Sequence, residues 1–390
     1  MSDTVVLVLA VAGVAGIISG LALFPVRRFA EELGLLDRPG GHSSHTVPTP
    51  LGGGIGIYCG VAGTVGLAIL AAWWLQDPSH VAGGVPGETD SLLARLWSAA
   101  DTHASGVWSR AADVIWLLVG GTILLLLGLW DDRHGLSVVV RLGVQFGIAA
   151  AVVFGLGIEL TAFFQPGWMT KLLSVLWIVA VINSFNMLDN MDALSGGIAA
   201  IIAGAMAVVM LTTPDPDTDH PQLLVAALLA VVAGSLVGFL FHNRPPAKIF
   251  MGDGGSYFVG FLIAVSMLMA TFVGGQSADG TLRPHAVLAP LCAMAVPLYD
   301  MTTVLWIRIR EGRSPFQGDH SHLSHRLVEL GLSRTAAVAT IHLITATCGL
   351  SAVLMTHVDT LQAIMVLGIV CCMLTLLAIL ESTRSRRPKS

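Results

Sequence analysis

Apolar runs long enough to cross a bilayer, separated by short polar stretches, make up nearly all of this chain. Runs of about 17–25 apolar residues span the hydrocarbon as α-helices. Eleven such runs lie over 5–24, 51–75, 114–130, 142–158, 172–188, 193–210, 223–241, 257–273, 287–307, 336–355 and 361–380. The fifth is the weakest as a span, because Asn183 and Asn186 fall in its last turns. The pattern predicts an all-α polytopic membrane protein of about eleven transmembrane helices, a single integral domain over 1–390. Four acid-rich islands interrupt it: GLWDDRHGLS around Asp131 and Asp132, NSFNMLDNMDALSGG from Asn183, PPAKIFMGDGGS from Pro245 and GDHSHLSHRL from Gly318.

Composition agrees, with 54% hydrophobic and only 12% charged residues over 390 positions. An odd number of spans puts the termini on opposite sides. With the N-terminus outside, only Arg95, Arg110, Lys171 and Arg283 of the 20 basic residues face out, and the C-terminus is cytoplasmic. Basic residues collect on the cytoplasmic side, so this orientation is the expected one, and it brings all four islands to the cytoplasmic face. Segment 76–113 becomes an extracytoplasmic connector with a short surface helix over 91–98, and 308–334 a long cytoplasmic loop. The five cysteines lie in the spans, which argues against a disulfide framework. The first run lacks a basic leader and is long for a cleaved signal, so it reads as a retained helix.

Carboxylates beside a bilayer cost roughly 2.5–3.5 kcal/mol each at a helix centre and mark functional sites. Asp131 and Asp132 end the third span, where acids oppose the helix dipole. Being adjacent, they point about 100° apart, so one can bind a metal while the other takes a proton. Asn183, Asn186, Asp189 and Asp192 recur every third residue along one winding helical stripe, so the two acids can converge on one ion while the amides reach a phosphate or nucleotide. Asp253, flanked by glycines and preceded by Lys248, suits a tight turn offering a carboxylate and bare amides to phosphate or Mg²⁺. Asp300, inside the ninth span, is expected to face the interior and pair with a cation. His42, His45, His320, His322 and His325 invite a zinc reading. With no HExxH and no cysteine partner, the oxygen donors favour Mg²⁺, with Mn²⁺ as the alternative. Carboxylates for a hard metal, scattered cations and amides suit phosphoryl transfer, and no GxxxxGK[ST] loop is present for P-loop ATP hydrolysis.

These islands, in this order, resemble the polyprenyl-phosphate N-acetylhexosamine-1-phosphate transferase family, over a stretch from Asp37 to about Leu327. The paired aspartates fall on Asp131 and Asp132 and the asparagine/aspartate helix motif on Asn183, Asn186, Asp189 and Asp192. The PAKxFMGDxGS motif is intact over 246–256, with Asn243 at the asparagine that precedes it. The first loop is similar through Asp37, Arg38, Pro39, His45, Pro50 and Gly53. The departures are His42 and Ser43 at a usual basic pair, Arg141 at a common lysine, Ala193 at a usual glycine, and Ser324 within an HxHH pattern that otherwise keeps His322 and His325.

The resemblance implies transfer of a sugar-1-phosphate from a UDP-N-acetylhexosamine to undecaprenyl phosphate with release of UMP, in a bacterial cytoplasmic (inner) membrane with the active site facing the cytoplasm. It implies catalytic roles for Asp131, Asp132 and Asp253, Mg²⁺ on Asp253 and Asp189, and substrate contacts from Asn183, Asn186, Asp192, Asn243, Lys248, Arg141, His45, His322, His325 and Arg326. HLSHRL, with Arg308, Arg310 and Arg313 upstream, resembles the branch using UDP-N-acetylglucosamine more than the UDP-MurNAc-pentapeptide branch, which carries consecutive histidines. That second branch is the alternative, and a lipid or solute transporter is the reading from another class. A homodimer stays open, and no nucleic-acid partner is expected.

Overall fold

The computed structural model describes residues 2–37, 48–77, 91–160, 167–214, 220–270, 283–315 and 321–382. Among the described residues the regular elements are helices, apart from β1 (Leu36–Asp37) and β2 (Thr49–Pro50), an antiparallel pair in which Leu36 faces Pro50 and Asp37 faces Thr49, and two isolated bridges. The longer helices are α1 (Asp3–Phe29), α2 (Gly53–Leu75), α3 (Leu92–Ser109), α4 (Ala111–His134), α5 (Val138–Ala150), α6 (Gly167–Leu188), α7 (Leu194–Thr212), α8 (Leu223–Asn243) and α9 (Gly252–Met269). After a 3₁₀ turn (Pro284–Leu288) come α10 (Ala289–Ala293), α11 (Ala295–Arg310), α12 (Leu323–Glu329), α13 (Arg334–Met355) and α14 (Thr360–Ser382). Ser2, Ser91, Ser137 and Ser333 start α1, α3, α5 and α13, each hydroxyl accepting a backbone N–H of the first turn.

Among the described residues, ten helices are long and apolar enough to span a membrane. The ninth run of the sequence is instead a broken pair, Pro284–Ala293 and Ala295–Arg310, bent by 64°. Pro297 lacks the N–H that would bond back to Ala293, so the helix has no continuous ladder across the break. The surface helix expected over 91–98 runs on to Ser109 as α3. Its apolar stripe continues through Trp97, Ala100, Ala104 and Val107, which pack with Ala72 and Leu75 at the end of α2.

Helix α9 is the central shaft, with Tyr257, Phe258 and Phe261 fully buried among α2, α4 and α6. Lipid tails are as apolar as leucine, so helices in a bilayer associate by close van der Waals packing, which small residues permit. Two crossings position the site. A Cβ on Gly128 of α4 would overlap the backbone at Asp253 and Gly254, and one on Gly54 of α2 would overlap Gly254 and Gly255. The N-terminus of α9 is thereby held between the backbones of α2 and α4, with the last turn of α4 beside it.

Candidate active site

A helix N-terminus leaves its first backbone N–H groups without intrahelical partners and carries partial positive charge. At α9, carboxylates from two other elements take up these donors. Asp189, just past α6, accepts from Gly252 N. Asp132, in the last turn of α4, accepts from Asp253 N at 2.9 Å and Gly254 N at 3.4 Å. Gly252 has a φ of +71°, and a Cβ there would sit 2.6 Å from Asp132 Oδ2, so backbone conformation and space both require glycine.

Asp253 itself projects from this first turn. Its Oδ1 accepts from Asn186 Nδ2 at 2.6 Å, and the same amide donates to Ser256 Oγ at 3.1 Å. Its carboxyl touches that of Asp131, and Arg141 Nη1 stands 4.0 Å from its Oδ2. Asp131, only 7% exposed, accepts from Leu136 N at 2.6 Å, Arg141 Nη1 at 3.0 Å and Tyr257 Oη at 3.2 Å. Four carboxyl groups therefore gather at the start of α9, and one guanidinium reaches two of them, Asp131 and Asp253. Burial, aggravated by the negative charges of Asp132 and Asp192, pushes Asp189 from 3.8 up to about 7, against the opposing bond from Gly252 N. Carboxyls this close cannot all ionise without protons or cations among them.

That excess of hard oxygen donors fits Mg²⁺. No three histidine, cysteine or acidic side chains among the described residues converge on a single point. Mg²⁺ does not need three, since one or two carboxylates with substrate phosphates and water suffice, and Asp253 and Asp189 offer two.

The other islands meet the same end of the bundle. Asp192 Oδ2 accepts from Ala247 N at 2.9 Å, pinning the Pro245–Met251 turn to the Asn/Asp segment. Asn243 reinforces that joint, accepting from Ala193 N and donating to Ile249 O, both at 2.8 Å. Pro50 O accepts from Phe250 N at 2.8 Å, which ties in the first loop. Ser324 donates to Asn190 Oδ1 at 2.6 Å, which ties in the last. Lys248 is exposed and His325 partly exposed, whereas His322 and Arg326 are buried against Asp300. Asn183 turns away from Asp253 and donates to Gln145 Oε1 of α5 at 2.6 Å. His45, with His42, Ser43 and His320, lies outside the described residues.

Sequence reasoning missed Tyr257, Ser256, Asn190 and Gln145. Tyr257 had a legible signal: four residues after Asp253 it shares that residue's helical face. Gln145, fully buried in a span, was likewise visible as an intramembrane polar residue.

Residues 114–271, from α4 to just beyond α9, match glycosyl transferase family 4. The probable undecaprenyl-phosphate N-acetylglucosaminyl 1-phosphate transferase of Bacillus subtilis strain 168 is 30% identical over 363 residues, 91% of this chain and 87% of its own length. The decaprenyl-phosphate N-acetylglucosaminephosphotransferase of Mycobacterium tuberculosis H37Rv is 31% identical over 84% of this chain and 78% of its own. The undecaprenyl-phosphate alpha-N-acetylglucosaminyl 1-phosphate transferase of Escherichia coli K12 is 27% identical over 83% and 77%. The chain belongs to glycosyl transferase family 4. This family 4 protein is a multi-pass membrane enzyme, a transferase, and the matched segment takes in Asp131, Asp132, Asn186, Asp189 and Asp253.

Proposed function

We propose that the protein transfers N-acetylglucosamine-1-phosphate from UDP-N-acetylglucosamine to undecaprenyl phosphate, releasing UMP and starting a lipid-linked glycan. What carries the reading is the gathering of Asp131, Asp132, Asp189 and Asp253 at the N-terminus of α9, with Arg141 paired to Asp131 and 4.0 Å from Asp253. The names of the three relatives, all concerned with N-acetylglucosamine phosphate and a polyprenyl phosphate, support the substrates. An oxygen of the acceptor phosphate bonds to the β-phosphorus of the donor. The bond from that phosphorus to the bridging oxygen breaks, and UMP leaves with that oxygen.

Two phosphate groups must approach each other here, so neutralising charge and fixing positions are the main tasks. Arg141, held by Asp131, directs its charge towards Asp253 and the incoming phosphates. The acceptor's remaining proton passes to Asp131 or Asp132. Asn186 holds the Asp253 carboxyl in place. Asp253 and Asp189 would hold Mg²⁺, which when bound offsets pyrophosphate charge. Lys248, exposed at the rim, adds a further cation for phosphate, and His322 and His325 would contact the donor. The split of basic residues supports a cytoplasmic-facing site, and the bacterial relatives support an inner membrane.

The test is to incubate purified protein with undecaprenyl phosphate, Mg²⁺ and either UDP-N-acetylglucosamine or UDP-MurNAc-pentapeptide, measuring UMP and lipid-linked sugar. Product from the first donor alone is expected. Product from the second alone would move the enzyme to peptidoglycan synthesis.

A further inference from the structure

A second group of buried charges lies where α11, α12 and α14 meet, outside the aspartate cluster. Asp300 of α11 is fully buried. Its Oδ2 lies 2.9 Å from His322 Nδ1, and its Oδ1 accepts from Leu323 N at 2.6 Å and stands 3.6 Å from Arg326 Nη2. Arg326 reaches on to Glu381 Oε2, near the end of α14, at 3.3 Å. Tyr299 Oη donates to the same Glu381 oxygen at 2.9 Å, and Thr303 Oγ1 accepts from Arg326 Nη2 at 2.9 Å.

Charges are kept out of water only where they are paired, and removing one partner strands the other. The chain of contacts from Asp300 through Arg326 to Glu381 is therefore a rigid joint. What it holds is α12, seven residues long and too short to persist alone. Asp300 takes up the Leu323 N–H and engages His322 where α12 begins, and Arg326 anchors its middle. The helix in turn carries Ser324, bonded to Asn190 beside Asp189. With Nδ1 committed to Asp300, the His322 ring has one orientation. Among the described residues its Nε2 has no hydrogen-bond partner.

We infer that Asp300, Arg326 and Glu381 are positioning residues: through them the last span fixes α12 and presents His322 Nε2 to a phosphate of the nucleoside diphosphate-sugar donor. The donor's identity rests on the function proposed above, whereas the joint itself does not. Arg326, expected from the sequence to bind substrate, acts here through its neighbours.

Two readouts on Asp300→Asn and Glu381→Gln test this. The first is a steady-state split. The KM for the UDP-sugar is expected to rise about tenfold or more, with the KM for undecaprenyl phosphate unchanged, measured below the thermal midpoint, which falls because each variant strands a buried charge. Equal changes in both KM values, or none, would overturn the positioning role. The second needs no substrate. Leu327→Cys, buried on α12, is placed in a background whose native cysteines are replaced, and is exposed to a water-soluble maleimide. Labelling should be slow with the joint intact and at least several-fold faster once Asp300→Asn or Glu381→Gln is added. Unchanged labelling would overturn the joint. Faster labelling in a protein that turns over no UDP-sugar would uphold the joint and sink only the donor assignment.

Discussion

Gly128→Ala adds one methyl group at the point where α4 meets the start of α9. The new carbon would overlap the nitrogen and Cα of Gly254 and the carbonyl carbon of Asp253. All three are backbone atoms, so no side chain can swing aside. Heavy atoms in ordinary contact need about 3.5 Å, and restoring that separation moves the two helices apart by about 1 Å. The bonds that cross this seam are Asp132 to Asp253 N at 2.9 Å and to Gly254 N at 3.4 Å, together with the Asp131–Asp253 contact. A displacement of about 1 Å in a reacting constellation costs on the order of 100-fold in rate, and overpacking of this kind costs about 1–3 kcal/mol in stability. The assay is UMP release at saturating donor and acceptor, beside a thermal melt in detergent. Gly143→Ala is the control, since a Cβ there meets nothing within 4 Å. Turnover of Gly128→Ala within about threefold of wild type, at equal melting, would refute the idea that the α4–α9 contact sets the reaction geometry.

Ala193 has a φ of +62°, a conformation costing a side chain about 1–2 kcal/mol. Ala193→Gly should therefore raise stability by about 1 kcal/mol with activity retained, read from thermal unfolding; a lower midpoint would contradict this. Asp189 supplies a pH dependence with a definite sign. Its folded value of about 7 lies above the ordinary 3.8, so between the two the folded protein holds the proton more tightly and stability falls as pH rises. In divalent-free buffer the melting midpoint should fall across that window, and Asp189→Asn should flatten the fall; an equal slope in the variant would count against it.

The spans were legible because run length alone decides whether a helix crosses hydrocarbon, and ten of the runs correspond to spanning helices. The break near Met294 was not, since Pro290 and Pro297 also occur in helices that merely bend. The islands announced themselves through the cost of charge near lipid, yet which acid meets which partner depends on contacts remote in sequence. Asp132 and Gly254 are 122 residues apart, and no local pattern discloses that one caps the other. Asn183 and Asn186 look alike along the stripe, but the offset of about 60° over three residues sends one to Gln145 and the other to Asp253. Asp300 was expected to face inwards and pair with a cation, and it does so with Arg326. Its second partner, His322, and the onward link to Glu381 required the packing of three helices.

The most direct test of the central claim is turnover by Asp253→Asn in UDP-N-acetylglucosamine, undecaprenyl phosphate and Mg²⁺, measured as UMP together with lipid-linked sugar. The amide keeps the size of the side chain and leaves the backbone bonds to Asp132 in place. The account predicts a folded protein with wild-type melting whose product formation drops to background. Turnover near the wild-type rate would remove Asp253 from the reaction centre, and with it the assignment of the α9 N-terminus as the place where the phosphates meet.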